Sequence, residues 1–286
     1  MRTPRVVVGV DGSPLSMAAV ARAARLASAR GMDLLVLHAF APDLPMLGFG
    51  EVSDPGVVTS HTHRLLADGV ARAHAVDPAL TVTTASRDGY ASQALVDASR
   101  SAALVVVGAM GHGVLSRASV GAVAMQVVTH ARCPVLVVGH ETADAGERGG
   151  RVVVGVDGSK ASLRALGTAF DEAAVTGSTL DVVHAWEARS ATDPTLDRSS
   201  SWSAYEDDLR RQVETALVGR REAHPVVTVE HEVVRAAPVQ ALVDRSEGAT
   251  MLVVGSRGSG GFEGLHVGST ALQLMGRSHA PILFSR

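Results

Sequence analysis

Short, unbroken runs of valine and leucine punctuate this chain, separated by stretches in which apolar residues recur every three or four positions. VVVGV at 6–10 does not alternate with polar residues, so it predicts a strand buried on both faces. Asp11 and Ser13 then offer N-cap oxygens, and Pro14 suits a first helical turn. LSMAAVARAARLASAR at 15–30 predicts a helix that Gly31 ends. DLLVLHA at 33–39 reads as a second strand. A helix is expected near 62–75, a strand near 80–86, a helix at 92–100, a strand at 103–108, a helix at 120–131 and a closing strand at 134–139. Strands that alternate with helices predict α/β domains with a parallel sheet covered on both faces and right-handed crossovers.

The whole order is then written a second time. RVVVGVDGS begins at Arg5 and recurs, identical, at Arg151, and the pair His38-Ala39 recurs as His184-Ala185. QALVDAS from Gln93 recurs as QALVDRS from Gln240, one position further along than the first set of anchors requires, so the second copy has gained a residue between them. A period this long means duplicated domains rather than a solenoid. The expected layout is a first domain at 1–140, a linker at 141–150 and a second domain at 151–286. Each is a five-stranded, mostly parallel sheet flanked by helices, of Rossmann-like or flavodoxin-like type. In such sheets ligands sit beyond the carboxyl ends of the strands.

Both copies carry a glycine-crowded loop at such an end. Gly108, Gly111 and Gly121 follow the spacing G-x-x-G-x9-G, and Gly255, Gly258 and Gly268 repeat it, with further glycines at Gly113 and Gly260. Glycine lets backbone approach a ligand closely, and successive amides form an anion-binding nest. The last glycine opens a helix, whose first amides lack helical partners and carry partial positive charge. Ser269 then offers a hydroxyl in the second copy, where Ala122 offers none in the first.

Composition narrows the chemistry. The net charge of −3 leaves no basic footprint for nucleic acid or an anionic membrane. The one cysteine, Cys133, allows no disulfide within the chain, which fits a reducing cytoplasm, and its place at the edge of an apolar run predicts a packed thiol. The apolar run at the start is too short for a signal peptide, and no segment reaches the length of a membrane span. Lys160 is the only lysine and lies outside both glycine stretches, so no Walker loop can be assembled. His61 and His63 have no Cys or acidic cluster at ligand spacing, so no metal site is expected. His38 and His184 stand at strand ends, where packing or capping is expected of them.

Taken together, VGVDGS, the HA pair, VVVGxxGxG, the G-x9-G-[A/S] element and HARCPVLVV resemble the universal stress protein family, in its tandem actinobacterial form. The resemblance covers nearly the whole chain. It implies an ATP-binding regulatory protein of stress or dormancy, not an enzyme, with little or no turnover and with Mg2+ as an optional companion of the nucleotide. Slow ATP hydrolysis or nucleotidyl transfer is the alternative, and a nucleotide-free scaffold a third reading. Carried onto matching positions, it implies that Asp11 and Asp157 accept a hydrogen bond from the adenine or ribose side. Ala39 and Ala185 would read the adenine edge through their backbone, and Gly9 and Gly155 would let the base lie close to the first strand. Gly108, Gly111 and Gly113, with Gly255, Gly258 and Gly260, would wrap ribose and phosphates. Gly121, Ala122 and Val123, with Gly268, Ser269 and Thr270, would supply donors at the helix end. Arg117 and Arg257 offer charge to a phosphate. The resemblance also implies that the fifth strands pair into an intramolecular pseudo-dimer. A homodimer and an unidentified regulatory protein partner are expected, with specificity in the variable stretches at 42–58 and 187–201.

Overall fold

The computed structural model describes residues 4–40, 55–111, 120–139, 150–187, 201–256 and 267–286. The chain divides into two compact units, Met1–Ala143 and Asp144–Arg286. In the first, the strands are β1 (Arg5–Gly9), β2 (Asp33–Phe40), β3 (Val82–Asp88), β4 (Leu104–Gly108) and β5 (Val135–Val138). The helices are α1 (Pro14–Ala29), α2 (Pro55–His74), α3 (Ala91–Ala98) and α4 (Ala122–His130). The second unit repeats the series as β6 (Arg151–Gly155), α5 (Lys160–Thr176), β7 (Thr179–Trp186), α6 (Ser201–Ala223), β8 (Val229–Arg235), α7 (Pro238–Ser246), β9 (Met251–Gly255), α8 (Ser269–Met275) and β10 (Ile282–Ser285).

Each unit is the expected five-stranded sheet, and every described pairing within it is parallel. The order is β3-β2-β1-β4-β5 in the first unit and β8-β7-β6-β9-β10 in the second. The chain therefore runs outward from β1 to β3, returns, and continues on the other side through β4. That reversal opens a crevice at the carboxyl ends of β1 and β4. The non-alternating valines explain the buried centre. Val6, Val7 and Val8, like Val152, Val153 and Val154, are fully inaccessible, because helices cover both faces of their sheets.

The registers locate the gained residue. Leu34 pairs with Val82 and its repeat Leu180 with Val229, so the extra position lies between β7 and β8. α2 begins at Pro55, seven residues before the expected start and inside the stretch read as a variable loop. Proline is well placed in a first helical turn, but Gly56 beside it weakens the helical pattern there.

Candidate functional site

The turn after each first strand is folded by side chains. Ser13 is the N-cap of α1, its Oγ accepting from Ser16 N at 3.2 Å. Ser16 Oγ donates back to Ser13 O at 2.9 Å. Asp11 Oδ1 accepts from Ser13 N at 2.9 Å, closing an Asx turn around Gly12, whose φ of 84° is glycine territory. The second unit repeats the arrangement. Ser159 Oγ accepts from Ser162 N at 3.1 Å, and Asp157 Oδ1 accepts from Ser159 N at 3.0 Å around Gly158 at φ 77°. The two serines are thus the helix caps. Of the two N-cap oxygens that the sequence offers at the first turn, the serine's is used, and Asp11 and Asp157 are not caps. The sequence signal for Ser16 and Ser162 is the motif D-G-S-x-x-S, which recurs intact at both sites.

In the first unit this turn forms one wall of a cavity of about 340 Å³, in the range of small-molecule sites. Gly9, Val10, Asp11 and Ser16 line one side, and Leu37 and Ala39 of β2 line the floor. Ala91 and Leu95 come from α3; Val107, Gly108, Met110 and Gly111 come from β4 and its loop; residues 121–124 close the far end. Of the expected residues, Gly9, Asp11, Ala39, Gly108, Gly111, Gly121, Ala122 and Val123 therefore meet around one space. Gly113, Arg117, Arg257, Gly258 and Gly260 lie outside the described residues. Asp11 carries the only ionisable side chain among the described lining residues. The apolar lining of Val10, Leu37, Leu95, Val107 and Met110 carries no signal of its own in the sequence, because buried aliphatic residues look alike there whether they face a ligand or a core.

Four glycines prove to have structural partners. A Cβ at Gly9 would come 3.0 Å from Leu95 Cδ1, and one at Gly155 would come 2.8 Å from Leu242 Cδ1. The room at these positions admits the leucine of α3 or α7. A Cβ at Gly108 would stand 3.1 Å from the backbone of Leu15, so that glycine admits the first turn of α1. A Cβ at Gly111 would overlap Asp11 Oδ2, so the carboxylate lies directly against the loop after β4.

The helix-end donors also need correcting. Gly121 N donates to Ala109 O at 2.8 Å, and Gly268 N to Ser256 O at 2.8 Å. Each bond closes the base of the glycine loop, so these two amides are already used. Gly121 O and Gly268 O accept from Met125 N and Leu272 N, which marks both glycines as N-caps. The amides that precede the helical ladder are those of 122–124 and 269–271. Ala122 and Val123 of the first unit, and Ser269 and Thr270 of the second, keep their expected place. Gly255 ends β9 and Ala185 lies next to last in β7, at the carboxyl edge of their sheet as their counterparts are.

His38 is buried, and its Nδ1 lies 2.8 Å from Val10 O, fastening the end of β1 to β2. Burial holds His184 below its ordinary value of 6.5, against the opposing pull of the Asp157 charge. Cys133 is buried, its thiol donating to Pro134 O at 3.4 Å. Among the described residues no group of three His, Cys, Asp or Glu could hold a metal, and no helix is long and apolar enough to cross a membrane.

These features define a class: tandem parallel α/β domains of flavodoxin-like layout, each with a serine-capped turn after its first strand and a glycine N-cap on its last helix. A model of the Universal stress protein family matches residues 3–139 and again residues 150–286. Universal stress protein Rv2623 of Mycobacterium tuberculosis is 35% identical over 292 residues, spanning 98% of this chain and 96% of that one. The crystal structure of a universal stress protein from Archaeoglobus fulgidus matches 99% of this chain and 96% of its own, with a TM-score of 0.69 at 19% identity. A universal stress protein solved in complex with cAMP matches 49% of this chain and 98% of its own, with a TM-score of 0.39 at 27% identity. The chain belongs to the universal stress protein family, as a tandem of two of its domains.

Proposed function

We propose that the protein binds adenine nucleotide, ATP in the first place, in the crevice of each unit, and that it acts as a regulator rather than as an enzyme. The observation that carries this reading is the first-unit cavity. It offers aliphatic walls for a base, the carboxylate of Asp11 at one side as an acceptor, and the amides of 122–124 at the other. A nucleotide has the same polarity: a flat apolar base, hydroxyl donors on its sugar and an anionic tail suited to a helix N-terminus. Asp11 would hold the sugar or base edge, Ala39 would face the base, and Gly108 and Gly111 would let the sugar approach the backbone. The second unit repeats the turn and the clasp bond for bond, which supports a second site there with Asp157, Ala185, Gly255, Ser269 and Thr270. Any Mg2+ would arrive on the phosphates, since one carboxylate makes no protein cage for it.

The non-enzymatic reading is supported by the poverty of the lining. No lysine, arginine or histidine is among the described lining residues to stabilise a phosphoryl group in transit. A role in stress or dormancy, a cytoplasmic location and homodimers are parts of the proposal that rest on the family and on composition. The test is direct. Purified protein is denatured, and its supernatant is run on an anion-exchange column. ATP approaching two per chain is expected. ADP alone would point to hydrolysis instead. No nucleotide, together with no binding at millimolar ATP, would overturn the proposal.

A further inference from the structure

We infer that Tyr90 stacks on the base of a nucleotide held in the first unit, a contact that the second unit lacks. The inference rests on the nucleotide-binding reading and names how one of the two sites grips its base. Tyr90 is the N-cap residue of α3, makes no side-chain capping bond, and is 63% exposed. Its ring is therefore not used to hold the fold together. Its backbone, by contrast, is held at the cavity from both sides. Ala91, the next residue, lines the cavity, as does Leu95 one turn on. Gly89, the residue before, donates its N–H to Phe40 O at 2.8 Å, directly after the floor residue Ala39. Gly89 has a φ of 110°, a conformation that side-chain-bearing residues rarely adopt, so the turn that presents Tyr90 depends on it.

Tyr90 itself is not among the described lining residues, but its backbone is thus fixed between the end of β2 and the cavity wall, and it carries an exposed ring there. The cavity itself has no aromatic among its described lining residues. Phe40 does not supply one, because it alternates with Ala39 along β2 and so faces the other side of the sheet. Base–aromatic stacking is the interaction such a rim is missing, and it favours the larger purine surface. The second unit differs at both positions: Ala236 and Ala237 stand where the first has Gly89 and Tyr90, and Pro238 then opens α7. The glycine that shapes the turn and the ring that it presents are both absent from that copy.

The experiment titrates wild-type protein, Tyr90→Ala and Tyr90→Phe with ATP and with ribose 5-triphosphate, which keeps the sugar and phosphates and lacks the base. In Tyr90→Ala one of two sites should weaken roughly tenfold for ATP, with ribose triphosphate unaffected, and Tyr90→Phe should retain wild-type affinity. Photolabelling with 8-azido-ATP locates the site: the tryptic peptide DGYASQALVDASR should carry label in the wild type and lose it in Tyr90→Ala. Tyr90 is exposed, so the variants should unfold at the wild-type temperature. Binding of ATP that Tyr90→Ala leaves unchanged, or equal weakening of both probes, would overturn the stack alone. A wild-type chain that binds neither probe would overturn the nucleotide reading and this inference with it.

Discussion

Asp11 does two things with one carboxylate. Oδ1 accepts from Ser13 N and shapes the turn, while Oδ2 lies against Gly111 in the next loop. The sequence leaves open whether this residue caps a helix or meets a ligand. The fold gives the cap to Ser13 and keeps Asp11 at the cavity wall. Gly111 is the residue that permits this. Gly111→Ala would place a methyl group where the carboxylate now rests, and the end of a short side chain can swing aside at little cost to the fold. ATP affinity at the first site is therefore expected to fall about tenfold, the worth of a hydrogen bond to a charged acceptor, with the thermal midpoint nearly unchanged. Calorimetry beside a melting curve checks both halves, and a large drop in the midpoint with intact binding would contradict the assignment.

Among the elements, the helices after the glycine loops matter most. Each begins with a glycine N-cap whose N–H is spent on clasping the loop, so the donors that remain belong to the following residues. That makes the difference between Ala122 and Ser269 a difference at the first residue of the helix. Ala122→Ser should strengthen ATP binding at the first site by roughly two- to tenfold, the net worth of one added hydrogen bond. A two-site titration of the variant measures this; an isotherm identical to wild type would show that the hydroxyl does not reach the phosphates. The elements themselves were readable from periodicity. Strand β4 and helix α1 fall almost where the pattern puts them, because valine runs and i, i+3, i+4 spacing are properties of the chain alone. The start of α2 was not readable, since Gly56 mutes its pattern.

For the whole molecule, stability should carry a mark of His184. Burial lowers its affinity for a proton in the folded state below the ordinary value of 6.5. As pH falls through that value the unfolded chain takes up a proton that the native chain still refuses. The unfolded state then binds more protons, so stability is lost on acidification, and the loss levels off once the pH passes below the folded value. Urea unfolding from about pH 8 to about pH 5.5 should show wild type losing more stability than His184→Gln over that window. Equal losses would mean that His184 titrates alike in both states. At this scale the duplication is plain in either description: two units, one strand order, one repeated turn.

By itself, the sequence determined that there are two copies, that each alternates strand and helix, that the sheets are parallel, and that glycine loops stand at their carboxyl edges. These follow from patterns local to the chain: repeat, periodicity and turn chemistry. Only the tertiary structure decided what those glycines are for. Gly9 admits Leu95, Gly108 admits the backbone of Leu15, Gly111 admits the carboxylate of Asp11, and the N–H of Gly121 is taken by Ala109. Most of these partners stand far from their glycine in the chain and meet it only when the sheet brings β1, β4 and α3 side by side. A glycine without its neighbour says only that space is needed; the fold says which atom fills it.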